Sequence, residues 1–201
     1  MSASPLKGFT IIELIVSIAI FAAMTALVIA KYGTFNQSTL VTNVAYDMAL
    51  SVRTAQTYGL SVKSSNSSLN SFDAAYGIHF DSTPANQNKF VFFADTDTPP
   101  NGLYDSQPDE AITTYSLNQN TKITSICLGS VYSSCNSNNI VTSLDVTFKR
   151  PNPDAIFCAK GNCQDQLNSQ SIAFVTISSS DGSYKQVVYI RKNGEISVEN
   201  N

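Results

Sequence analysis

Two groups of side chains in the second half of this 201-residue chain are of the types that binding chemistry uses. Asp95-x-Asp97-x3-Asn101-Gly102-x2-Asp105, with Asp109 and Glu110 beyond, gathers oxygen donors into one turn, as Ca²⁺ coordination requires. The pattern departs from the EF-hand loop, because Pro99 and Pro100 stand where that loop needs ligands and glycine. Acidic residues are also ordinary turn formers. Asp95, Asp97, Asn101 and Asp105 are therefore candidate calcium ligands set against that plainer role, and no other cofactor is implied.

The four cysteines fall into two close pairs, Cys127/Cys135 and Cys158/Cys163. Neither pair has the C-x2-C spacing of zinc sites, and the chain has 1 His. Local disulfides are the preferred reading for an exported chain, although four cysteines permit three connectivities and sequence alone does not settle the pairing. That one histidine, His79, lies in the alternating run Tyr76-Gly-Ile-His79-Phe80, with no nucleophile or acid partner evident, and reads as a solvent-facing strand residue. No recognisable carboxylate pair, Ser/His/Asp set or phosphate-cradling glycine loop stands out, so the expectation is a protein that is not an enzyme.

A third chemical feature is a single acid, Glu13, at the entrance to a run that carries no charge from Leu14 to Ala30. As a helix rising about 1.5 Å per residue, Phe9 to Ala30 covers about 33 Å and can span a bilayer. Lys7 on its N-terminal side favours a cytoplasmic start and an outside remainder. A secretory signal would explain Val28-Ile-Ala30 as a cleavage site, but its apolar region is shorter than this one. A plain anchor explains the apolarity and leaves Glu13 without a use, since an acid costs up to about 2.5–3.5 kcal/mol at the bilayer centre.

Lys7-Gly8-Phe9-Thr10-Ile11-Ile12-Glu13-Leu14 resembles the processing site of type IV prepilins and pseudopilins: a short leader ending in Gly, then Phe, then an acid before an uninterrupted apolar helix. The resemblance implies a leader of residues 1–8 and cleavage by a prepilin peptidase between Gly8 and Phe9. It also implies N-methylation of Phe9, and attraction between Glu13 and the cationic N-terminus of a neighbouring subunit. The implied partners are other pilin or pseudopilin subunits, the peptidase and the membrane. The implied location is the cytoplasmic membrane, single-pass with the C-terminal head outside, and then a periplasmic or extracellular filament.

The elements that would hold these residues follow from the pattern. No proline occurs between Pro5 and Pro84, so a helix from residue 9 continues past the apolar segment, with Gly33 as a place for a local bend. Apolar residues recur at Leu40, Val41, Val44, Ala45, Met48, Val52 and Ala55, a helical period giving one stripe, and Gly59 reads as the stop. The segments are a transmembrane and assembly helix at 9–31, its amphipathic continuation at 32–59, and a β-rich head at 60–201.

Ser61 to Ser71 reads as a surface loop. Strand-like runs follow at Tyr76-Phe80, Lys89-Ala94, Ala111-Tyr115, Ile123-Leu128, Ser143-Lys149, Ile172-Ser178, Gln186-Arg191 and Glu195-Val198. The last two flank Lys192-Asn193-Gly194, a hairpin signal. The fold expected is α+β, a long helix on an antiparallel β head, pilin-like. Asp47 to Gln56, Tyr76 to Phe80, Phe93 to Asp97 with Asn101-Gly102 and Asp105, and Tyr189 to Ile196 are similar in order and spacing to H-type minor pseudopilins and related minor pilins.

Charge excludes one partner class. Twelve Lys+Arg stand against 15 Asp+Glu, for a net charge of -3, and the basic residues Lys149-Arg150, Lys185 and Arg191-Lys192 are scattered. That is not the footprint of a nucleic-acid binder, so no nucleic-acid partner is expected. The rival to a filament subunit is a single-pass membrane-anchored β domain that binds a ligand or adhesion target without polymerising.

Overall fold

The computed structural model describes residues 8–61, 74–97, 99–105, 111–117, 120–159, 163 and 171–200, without the side chains of residues 31–35. Residues 1–7 of the expected leader, and all of the expected Ser61 to Ser71 loop beyond Ser61, lie outside these residues. The fold is α+β: one long helix and antiparallel sheets.

Helix α1, Ile11–Leu60, starts where Thr10 accepts the Glu13 N–H on its Oγ1 at 3.3 Å and the Leu14 N–H on its carbonyl at 3.1 Å. It runs through Gly33 without interruption. The chain divides into two compact units, Met1–Gln37 and Ser38–Asn201, so α1 belongs to both. In the first unit, no residue of Ile11–Ala30 is buried. Ser17 and Thr25 turn their hydroxyls back onto the carbonyls of Glu13 and Phe21, which leaves that surface apolar.

In the second unit, α1 buries Val41, Ala45, Met48, Val52, Ala55 and Gly59. The alternating spacing of four and three residues is one narrow stripe, and its side chains are mostly small, which lets the backbone come close. Leu40 and Val44 from the expected stripe stay partly exposed on its flank. Gly59 does not stop the helix, which continues to Leu60. A Cβ on Gly59 would overlap the Phe148 carbonyl oxygen, so glycine is needed there for contact with a strand.

The strands are β1 (Ala75–Asp81), β2 (Lys89–Asp95), β3 (Ala111–Ser116), β4 (Thr121–Gly129), β5 (Ile140–Val141), β6 (Ser143–Phe148), β7 (Ala155–Ala159), β8 (Ile172–Ser179), β9 (Lys185–Arg191) and β10 (Ile196–Asn200). Two five-stranded sheets result, in the orders β3-β2-β1-β6-β7 and β10-β9-β8-β4-β5. The first is called sheet A and the second sheet B. Two-residue alternation sends Tyr76, Ile78, Phe80, Leu144, Val146 and Phe148 of sheet A into one core with Ile123, Ile126, Val175, Ile177, Val188 and Ile190 of sheet B and the α1 stripe.

The chain ends in a meander, β8-β9-β10, with Gly194 at φ 83° in the last turn, a conformation glycine adopts freely. Gln56 of α1 donates to the Gly194 carbonyl at 3.0 Å and so anchors that turn on the helix. Two strands escape the sequence pattern: β5 has 2 residues, and β7 follows Pro151 and Pro153, which discourage a strand reading.

Replacing Gly59 with Ala should destabilise the fold by about 1–3 kcal/mol, the usual cost of overpacking. Urea denaturation of the chain in detergent micelles measures it, and an unchanged midpoint would show that α1 and β6 yield at no cost.

Candidate functional site

Two regions hold the candidate residues. The first is the start of α1. Gly8 is exposed, and a Cβ there would meet nothing within 4 Å. Phe9 is 80% exposed, and Glu13 is exposed in the first turn. The Thr10-to-Glu13 contact is half of a capping box, and an acid in a first turn also favours the helix dipole. The Thr10 contact takes only the Glu13 backbone N–H, so what the first turn offers the carboxylate itself is the dipole.

The second region is the outer face of sheet A, where residues 95–105 cross. Asp95 is buried at the end of β2. Its Oδ2 accepts the Gly102 N–H at 2.6 Å and its Oδ1 the Asp97 N–H at 3.2 Å. Asn101 Nδ2 donates to both Asp97 Oδ2 and Asp105 Oδ2, and Asn101 Oδ1 accepts the Leu103 N–H at 2.7 Å. The crossing lies close to the sheet: Gly102, at φ 84°, sits over Cys158, Cys163 and Thr147, and the Tyr104 ring packs at a tilt against those of His79 and Phe93, with centroids 5.0 and 5.4 Å away. Gly77 leaves room beneath, since a Cβ there would strike Thr147 and Phe93.

Calcium gains no coordination set from this arrangement. Both Asp95 oxygens are engaged by backbone N–H groups, Asp97 and Asp105 share one amide, and no group of three or more His, Cys, Asp or Glu side chains among the described residues is placed to hold a metal. Asp109 and Glu110 lie outside the described residues. The geometry is that of a turn held by its own carboxylates.

His79 is corrected. Its Nδ1–H donates to Asp145 Oδ1 at 2.6 Å, and the two residues face each other across β1 and β6. Asp145 is buried and His79 half-buried, so the histidine is neither solvent-facing nor without an acid. No hydroxyl or thiol is hydrogen-bonded to His79 among the described residues, so the pair lacks the nucleophile of a triad.

Both cysteine pairs close locally, Cys127 with Cys135 and Cys158 with Cys163. The first staples a small apolar cluster of Phe174, Val187, Tyr132 and Tyr189 on the outer face of sheet B. The second fixes Cys163 beside the Gly102 turn. No protein-family model, characterised protein or solved structure matches this chain.

Burial pushes the Asp95 carboxyl above its ordinary value, against the pull of the Gly102 and Asp97 N–H groups. Desolvation and then the Asp105 charge raise Asp97 as well. An acid whose folded value is raised stabilises the fold below the ordinary carboxylate range and loses that contribution as pH rises through the raised value. Asp97→Asn, which can still accept from Asn101, should melt with the native chain at pH 3 and above it at pH 7 in thermal scans. Equal melting at both would remove the Asp97–Asp105 repulsion from the account.

Thr147 is fully buried, and its Oγ1 has no hydrogen-bond partner among the described residues. Because an unpaired buried hydroxyl costs about 1–3 kcal/mol, Thr147→Val should leave stability unchanged or raised in the same scans.

Proposed function

We propose that this chain is a structural subunit of a filament of the type IV pilus or type II secretion kind, trimmed between Gly8 and Phe9 and assembled through its N-terminal helix. The observation that carries the reading is one acid, Glu13, on a helix whose following surface to Ala30 is apolar and exposed among the described residues. Trimming exposes an α-amine on Phe9, a cation that a neighbouring copy lays beside Glu13. Matched to that amine, the carboxylate is compensated in the bundle and fixes the axial register of each subunit on the next. The antiparallel α+β head is compatible with a minor pilin or pseudopilin of the H type.

The anchored-domain reading is favoured by the place of Glu13 in the first turn, where an acid gains from the helix dipole without any partner. Two substitutions separate the readings. Gly8→Val meets no steric obstacle in the protein itself, so it should leave the chain at precursor mass by blocking peptidase recognition alone. Glu13→Gln should be processed normally yet be lost from sheared filaments while melting like the native chain. Processed Gly8→Val protein, or Glu13→Gln incorporated at native level, would leave the anchored domain standing.

A further inference from the structure

An unpaired sheet edge offers N–H and C=O groups to any passing strand, and proteins blunt such edges with charge, proline, shortness or cover. Three of the four edges here are blunted. Strand β5 has 2 residues, β10 carries the exposed Glu199, and β7 follows two prolines and is tied through Cys158 to Cys163. Strand β3 is the least protected among the described residues: Ala-Ile-Thr-Thr-Tyr-Ser has neither charge nor proline, a register shift opposite Phe92 and Phe93 bulges only its Ala111 end, and Thr113 to Ser116 pair regularly with β2 on one side and are exposed. Its β-branched and aromatic residues are those that strands favour.

A groove of about 500 Å³ opens between this edge and α1, with Phe90, Tyr115 and Leu117 on the sheet side and Val44, Asp47 and Leu50 on the helix side. Tyr115 stacks on Phe90 at 4.9 Å, and Leu50 is 64% exposed, so both walls present apolar surface. A strand laid along β3 would extend sheet A over this flank of α1 and lower every second side chain into the groove.

We propose that the β3 edge and the groove beside it bind an extended segment of another protein by strand addition, taking apolar side chains at alternate positions and a Lys or Arg opposite Asp47. Backbone pairing supplies affinity in this mode, and the pockets for alternate side chains supply specificity. Asp47 is the one charged side chain in the groove lining among the described residues, so the complementary occupant carries a cation. A second copy of β3 has none to offer, which favours a different, basic segment over self-pairing. The site lies within residues 38–201 and does not rest on the filament reading.

Panning the full chain in detergent micelles against a random nonapeptide library tests this. Selected peptides should alternate apolar and polar residues and carry a Lys or Arg, and their binding should protect the Ile112 to Tyr115 amides from hydrogen exchange. Methylating alternate peptide nitrogens should weaken binding at least tenfold, as should Leu50→Lys and Asp47→Lys, both at exposed positions and both checked for native melting. A library that yields no binder, peptides that bind Leu50→Lys at native strength, or binding that leaves those amides unprotected would overturn the proposal. Self-association of the free chain through β3 would overturn it too, by assigning the edge to a second copy.

Discussion

Between Ile11 and Ile29 a dozen large apolar side chains stand more than half exposed among the described residues. Burying one such side chain contributes about 1.5–3 kcal/mol. Leaving all of them in water would forgo on the order of 20–30 kcal/mol, more than the roughly 5–15 kcal/mol that holds a whole domain folded. Cover for such a surface is compatible with a bilayer, for which this helix is long and apolar enough, or with other helices of the same kind. The second half of α1 has the opposite solution: its narrow stripe of Val41, Ala45, Met48, Val52 and Ala55 is covered by two sheets of its own.

The acid at position 13 is where the two kinds of cover differ. Its place in the first turn gains from the helix dipole, typically 0.3–1 kcal/mol. Held near the membrane surface, that is enough to make Glu13 tolerable, and nothing more is required of it. Drawn toward the bilayer centre, the roughly 2.5–3.5 kcal/mol cost exceeds the local gain severalfold, and a cation from outside the chain must supply the difference. The depth of Glu13 therefore decides between an anchor and an assembly helix, and the capping contact with Thr10 alone does not.

The helix and its buried stripe were legible because a 3.6-residue period needs only local sequence, and the eight expected strands all have counterparts, since alternation is local too. What local reading missed is set at a distance. Asp145 meets His79 from 66 residues away because β6 pairs with β1, and no spacing along the chain announces that. Gly59 looked like punctuation, yet its role depends on the Phe148 carbonyl of β6. The β7 run was hidden by its prolines and became a strand because β6 presents it a five-residue partner, Leu144 to Phe148. The local cysteine pairing, by contrast, was the one the close spacing favoured among three connectivities, and the folded loops close it that way.

The acidic turn shows how one composition serves two ends. Oxygen-rich spacing from Asp95 to Asp105 is what a cation needs, but it is also what a chain needs when it must cross a sheet face without secondary structure of its own. Buried backbone N–H groups require acceptors, and Asp95 supplies two of them at the point where the chain leaves β2. Asn101 then bridges Asp97 and Asp105 across the turn. With Gly77 and Gly102 admitting the crossing against the sheet, Tyr104 can reach His79 and so cover the hydrogen-bonded His79–Asp145 pair. The carboxylates raise the electrostatic cost of that turn as pH increases, and the crossing tolerates it because the same groups hold the backbone in place.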